Sequence, residues 1–468
     1  NMPPVAGNIM WARHLLKRIE EPMRKFQGNA TVLSSKESKK IIKTYNKVAR
    51  TLVAFEFLWY EAWCKSVDAA KAGLQATLII RHPQTGKLFV NFDREILQLI
   101  REAKCLTRIG VEIPEAAKMV LLQEDKYKSY YNELKYALAE YERVTGGIVP
   151  TTASLLKPHL QTLELKLRPG MITLTWTSMN IDAYQMHVHV GLQRLEELIT
   201  KCKDIVENRI EKNLKIISRQ ILVHMPDDQQ LSLDEFVASQ EKAVGEFTEM
   251  LTAKNVEVET AVEDLILLVT SFPLDPSVGE VPLGELHHLR KHYNKLTYQA
   301  LLNCTRNSLN AIKKRVCSRV GSGFLFVQRP FFQVDVQLSV PSTRLSPSLD
   351  DVQRAINRAA VAVLGCSKKM WDWGQQGVPE DERRSFFTTL GKDVEIIKVA
   401  LLLTGALHAT KNQVAECLVT FKKYDWIWKD DKDLHYSKFV ESNPSIEDFD
   451  VELRRFMDIE REIGRIPP

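Results

Sequence analysis

Arg168-Pro169-Gly170-Met171-Ile172-Thr173-Leu174-Thr175-Trp176-Thr177-Ser178-Met179-Asn180-Ile181 decides the fold, because helical patterns run into this stretch and away from it. Pro169-Gly170 is read as the end of a helix, since proline brings no amide proton and glycine no stiffness to a helix interior. The Thr, Ile, Leu and Trp residues that follow favour a short extended insert. Trp176 and Met179 are expected to be its buried anchors, wedged between bundles, with Asn180 or Asp182 capping what comes next. From Tyr184, apolar residues recur every three or four positions from Val188 through Leu195, Val206 and Leu214 to Ile221. That period predicts one helix of roughly 40 residues, about 60 Å at 1.5 Å per residue.

Upstream, Pro3 to Phe26 reads as a helix ending near Pro22. Ser34 with Glu37 has capping-box spacing. Ile41, Tyr45, Val48, Leu52, Phe55, Trp59 and Ala62 follow at spacings near 3.5, which predicts a second long helix to about Leu74 with a deeply buried aromatic seam. Each such side chain contributes roughly 1.5 to 3 kcal/mol when buried, against a few tenths for a surface ion pair, so packing decides the arrangement. Residues 77–81 and 87–92 flank His82-Pro83-Gln84-Thr85-Gly86 as a β-hairpin. Helices are expected over 93–106, 114–122, 127–144 and 152–165.

Downstream, Ser232 with Glu235 caps a helix over 233–254, a second covers 258–271, and Pro273 to Pro282 is the expected linker. A basic helix over 284–320 precedes alternating stretches at 324–327 and 332–340 that read as strands. Helices at 348–364, 379–390, 393–424 and an acidic one at 445–463 complete the chain. The fold class is mainly α, an elongated stack of helical bundles with small β-hairpin and strand inserts. Its expected segments are 1–167, 168–272, 273–345 and 346–468.

The chain of 468 residues is 26% charged and 44% hydrophobic, which suits several folded sub-domains. No apolar run approaches the roughly 18 residues of a membrane span, and no secretory signal opens the chain. Asn1 in place of an initiator methionine and the blunt end at Ile466-Pro467-Pro468 suggest a piece of something longer. Seven cysteines without a C-x-x-C pair read as buried thiols of a reducing compartment. A net charge of +5 does not imply nucleic acid.

Candidate chemistry is sparse. Thr85-Gly86-Lys87-Leu88 lacks the upstream glycine and following Ser/Thr of a phosphate loop and reads as a hairpin turn. Gly321-Ser322-Gly323-Phe324 follows a helix instead of preceding one, so it reads as a C-cap. His288 with His292, and His187 with His189, lack the third and fourth ligands of a zinc site. No catalytic, cofactor-binding or metal residue is therefore assigned. Charge is more informative: between Glu285 and Asp335 no acidic residue occurs, while Arg290, Lys291, Lys295, Arg306, Lys313, Lys314, Arg315, Arg319 and Arg329 do. Such a block forms a solvated face, a seat for an acidic protein surface, the chain's own Asp430, Asp431, Asp433, Glu447, Asp448 and Asp450 being one option, or a nucleic-acid site, for which Tyr293 and Tyr298 are too few interleaved aromatics. Tryptophans 371, 373, 426 and 428 are read as packing anchors or interface residues, with Trp371 and Trp373 the interface candidates.

Longer blocks resemble a known family. Pro3-Pro4-Val5-Ala6-Gly7 with Trp11-Ala12-Arg13, Val90-Asn91-Phe92-Asp93, Ile100 to Leu106 and Leu174 to Ile181 are similar to the tail of dynein heavy chains. His292-Tyr293-Asn294, Arg329-Pro330-Phe331-Phe332, Pro347 to Gln353 and Leu402-Leu403-Thr404-Gly405 resemble the axonemal branch, above all gamma-type outer-arm chains. The resemblance implies a non-catalytic helical tail in cytoplasm and axoneme. Its implied partners are WD-repeat intermediate chains, light chains, other heavy chains and the docking complex on the doublet microtubule, with no membrane and no nucleic acid. ATP and Mg belong to the family's motor region, so no cofactor is expected in this segment. Alternatives are an inner-arm or cytoplasmic dynein tail, or an unrelated helical protein- or nucleic-acid-binding module.

Overall fold

The computed structural model describes residues 2–225, 231–316, 331–332, 334–337, 343–374 and 383–465. Arg319, Arg329, Cys317, the 321–324 stretch, the expected strand residues 324–327, 333 and 338–340 and residues 379–382 of the expected 379–390 helix lie outside them. The side chains of Cys417 and Trp428 do too. Residues 383–385 of that expected helix are not helical, Ser385 capping a helix that begins only at Phe386. The fold is mainly α, with two small antiparallel strand pairs among the described residues. The chain packs as two compact units, Asn1–Lys201 with Phe272–Glu280 and Cys202–Ser271 with Val281–Pro468.

The first unit opens with α1 (Pro4–Gln27), the short α2 (Ala30–Leu33) and α3 (Lys36–Ala72). Helix α1 does not stop at Pro22, which lies inside it. Proline removes one amide there, on an exposed face where solvent serves the freed carbonyl, and buried Met23 holds the next turn. The cap of α3 is Ser35 and not Ser34, its hydroxyl accepting from the Ser38 amide at 3.1 Å. The aromatic seam buries only in its last third: Trp63, Val67 and Ala70 are buried, while Ile41 and Val48 are 49% and 42% exposed. Strands β1 (Ile79–Arg81) and β2 (Leu88–Val90) form the expected hairpin, turned at Gly86 with φ +68°. Helices α4 (Arg94–Arg108), α5 (Glu115–Leu122), α6 (Glu124–Gly146) and α7 (Ala153–Ile172) follow.

Glu102 on α4 is 5% exposed, and its carboxylate accepts the Val5 and Ala6 amides at 2.8 and 2.9 Å. Those are orphan donors of the first turn of α1, where a negative charge is favoured, so the burial of Glu102 fixes where the chain begins its first helix. Phe272–Glu280 is no free linker. The Asp275 amide donates to Thr162 Oγ1 at 3.3 Å, and Phe272 lies edge-on to His159 with ring centroids 6.0 Å apart. The segment thus straps α7, closing one side of a cleft that also involves Leu163, Leu195 and Leu198.

Helix α8 (Ile181–Asp204) contains the boundary between the units and continues through a π-helical stretch, Ile205–Glu211, into α9 (Lys212–Arg219). The expected long helix is therefore present but wider over seven residues. In the second unit α10 (Leu233–Ser271) is a single helix where two were expected. The Ser232–Glu235 capping box is formed, each residue's amide donating to the other's side chain, at 2.9 and 3.3 Å. Next come α11 (Leu283–Val316), β3 (Asp335–Gln337) paired with β4 (Arg344–Ser346), α12 (Leu349–Gly365), α13 (Phe386–Leu390), α14 (Val394–Lys422), α15 (Trp426–Lys429), α16 (Lys432–Glu441) and α17 (Ile446–Arg465). Helix α11 is the axis, burying Leu289, Tyr293, Leu301, Leu309 and Ile312 among its neighbours. Cys202, Cys304 and Cys366 are buried, whereas Cys64 and Cys105 are only half-buried, which corrects the reading of uniformly buried thiols.

Candidate interaction site

Pro169 and Gly170 lie inside α7 instead of ending it, and the chain leaves the helix only after Ile172. The Pro169 carbonyl accepts from both Thr173 and Leu174, at 2.9 and 2.8 Å, so the turn is closed four residues later than proline alone suggests. The bare Gly170 backbone admits the Tyr184 ring, whose hydroxyl donates to the Leu167 carbonyl at 3.1 Å. Burial there pushes the Tyr184 pKa far up, a backbone bond at Gly170 working against it. Packing overrides local propensity at this site.

The insert is a turn, extended only where Thr175 bridges Thr77 and the Leu78 amide donates to the Leu174 carbonyl at 3.2 Å. Trp176 is 2% exposed, its Nε1 donates to the Asn91 carbonyl at 2.7 Å, and its ring meets Phe92 edge-on at 4.7 Å. Met179 is 91% exposed, so it is not an anchor. Thr175 and Ser178 close the turn by hydrogen bonds, and Met179 follows it, outside the closed loop. Asp182, in the first turn of α8, accepts from the Tyr130 hydroxyl at 2.8 Å.

The acid-free run on α11 is partly spoken for. Arg290 grips Glu263 of α10 through Nε and Nη2 at 2.6 and 2.5 Å, and Arg306 reaches Glu395 of α14 at 3.0 Å. Among the described residues these neighbours, and not the acidic end at 430–450, supply the carboxylates. Lys291, Lys295 and Lys314 are exposed and Lys313 half-exposed, while the Arg315 guanidinium stands over the Phe331 ring at 5.4 Å. Of the tryptophans, Trp373 is buried and donates to Asn255 Oδ1 at 3.3 Å, which makes it a packing anchor. Trp371 is 46% exposed and stays free to meet another surface. Trp426 stacks obliquely on Phe456 at 5.7 Å.

No group of three or more metal-ligating side chains converges among the described residues. No helix among them is long and apolar enough to cross a membrane. An excess of Lys and Arg in the first fifty residues, visible in the sequence, marks a second basic surface.

Outward faces of long helices, some basic and some apolar, are thus what this geometry offers to other molecules. Residues 1–184 match the family described as dynein heavy chain, N-terminal region 1, and the chain as a whole is similar to dynein heavy chains. Along its whole length it is 46% identical to the dynein gamma chain of the flagellar outer arm of Chlamydomonas reinhardtii, covering 10% of that protein. It is 28% identical to dynein axonemal heavy chain 5 of Mus musculus, again over all of this chain and 12% of the relative. With the dynein-1-alpha heavy chain of the Chlamydomonas reinhardtii flagellar inner arm I1 complex it shares 24% identity over 98% of this chain and 10% of that one. The chain spans about a tenth of the length of these relatives.

Proposed function

We propose that this chain is a non-catalytic tail scaffold of an outer-arm dynein heavy chain in the axoneme of a cilium or flagellum. The observation that carries this reading is the 46% identity to a flagellar outer-arm gamma chain over the full chain, against 24% to an inner-arm chain. On this reading the exposed helix faces hold heavy chains together, carry intermediate and light chains, and anchor the arm to the doublet microtubule. Its work is mechanical. Long helices with buried seams resist bending, because bending would open packing worth roughly 1.5 to 3 kcal/mol per buried side chain. ATP turnover belongs to another part of the heavy chain, and no residue of this segment is assigned to it.

Cross-linking mass spectrometry on intact axonemal arms tests the reading. Cross-links from Lys291, Lys295 and Lys314 should reach intermediate, light or other heavy chains. Cross-links confined to this chain, or ATP turnover by this segment alone, would overturn it.

A further inference from the structure

Residues 1–50 carry eleven Lys and Arg against three Glu, a net of +8 in a chain whose total is +5. They include α1, α2 and the start of α3; the short connection makes α1 and α3 antiparallel neighbours, and in their contact Trp11 meets Phe55 edge-on at 5.6 Å and Arg13 pairs with Glu56 at 2.8 Å. Seven residues on along α1 and seven back along α3 bring Arg18 level with Val48, and seven more bring Lys25 level with Ile41. Ile41, Val48 and Phe55 recur every seventh residue of α3 and so make one line on its surface, which Leu58 continues.

That line is not covered. Ile41, Val48 and Leu58 are 49%, 42% and 62% exposed, and Trp11, which flanks Phe55, is 53% exposed. Lys40 and Lys47 each precede a residue of that line and lie about 100° round the helix from it, with Lys36 and Lys43 on the face beyond, and none of the four makes an ion pair among the described residues. The result is a shallow groove with an apolar floor and cationic rims from both helices.

Period and charge together define what fits. A seven-residue apolar repeat is complementary to the seam of another helix, and cationic rims favour carboxylates at the positions flanking that seam. An extended acidic tail would use the charge and waste the period; RNA would need open aromatic faces for its bases to stack on, and Trp11 is already engaged with Phe55. We infer that the groove between α1 and α3 docks an acidic amphipathic helix from another protein chain. Its apolar seam lies on Ile41, Val48, Phe55 and Trp11, and its carboxylates face Arg18, Lys25, Lys40 and Lys47. From Ile41 to Leu58 the floor is about 25 Å long at 1.5 Å per residue, enough for two to three heptads of the guest. The inference names the partner chemistry of one surface of the scaffold proposed above, and its test uses no arm assembly, so either can fail without the other.

The test uses the full chain and fluorescein-labelled three-heptad peptides with Leu at a and d. One carries Glu at e and g, a second carries Lys there, and a third keeps Glu but replaces each Leu with Ser; a single-stranded RNA oligomer is the fourth probe. Only the Leu/Glu peptide should bind in fluorescence anisotropy. Its Kd should rise about tenfold for the K40E/K43E/K47E chain, and about tenfold for the Val48→Ser/Leu58→Ser chain, with circular dichroism and melting unchanged. Equal binding of the Ser peptide or the RNA, or affinity unmoved by both variants, overturns the inference. Sedimentation showing self-association that Val48→Ser/Leu58→Ser abolishes assigns the groove to a second copy, and overturns it as well.

Discussion

Tyr184 lies so close to Gly170 that a Cβ at residue 170 would stand 2.2 Å from its hydroxyl oxygen and 2.6 Å from its ring carbon Cζ. Gly170→Ala must therefore displace the ring or the last turn of α7, at a cost of about 1 to 3 kcal/mol. A lower urea midpoint is the expected reading. A variant as stable as the parent would show that Tyr184 moves aside freely.

Trp176 and Met179 separate packing from position. Trp176→Ala should lower stability by about 3 to 5 kcal/mol, because it empties a buried indole site and leaves the Asn91 carbonyl without its donor. Met179→Ala should change it by less than about 0.5 kcal/mol, since that side chain touches solvent. Denaturant curves of the two variants are the measurement, and equal losses would contradict the burial described.

Alkaline pH probes the Tyr130–Asp182 bond. Burial first, and then the Asp182 carboxylate, push the Tyr130 pKa up to about 12 from 10.0. A phenol whose pKa is raised on folding gives stability that is complete below pH 10 and lost as pH rises toward about 12. Tyr130→Phe should flatten the stability curve across that window. An identical slope in parent and variant would remove Tyr130 from the account.

Lys313→Glu/Lys314→Glu should leave melting unchanged and lower recovery of the other subunits when arms are pulled down, as should Trp371→Ala. Adding Arg315→Glu sacrifices the contact with Phe331 as well, for about 0.5 to 1 kcal/mol of stability. Full recovery of every subunit with all these changes would leave α11 a solvated face and nothing more.

Helix periods were the readable part of this sequence. They placed α3, α11, α12, α14 and α17 to within a few residues, and the spacing of two short apolar runs placed the β1–β2 hairpin. Failures fell where a distant partner overrules a local signal. Two helices are expected over 233–254 and 258–271, yet Asn255, in the gap between them, is buried inside the single helix α10, where Trp373, more than a hundred residues away, donates to it. Pro169 and Gly170 looked like a stop because nothing local announces that Tyr184 fills the space a side chain would take. The basic block points to α11, whose described arginines Arg290 and Arg306 are paired, and away from the N-terminal helices, where Lys36, Lys40, Lys43 and Lys47 of α3 make no ion pair among the described residues and an apolar line lies open.

The strap at Phe272–Glu280 has a consequence for dissection of the molecule. The first unit is not one continuous piece of chain, because it recruits nine residues that follow the first seventy of the second. A fragment ending at residue 184, where the family match ends, or at 201, would lack Phe272 against His159 and the bond from Asp275 to Thr162. It would open Leu163 to water, together with Leu195 and Leu198 in the fragment that retains them. Limited proteolysis can nick this protein at the crossing points, but one nick cannot release either unit intact.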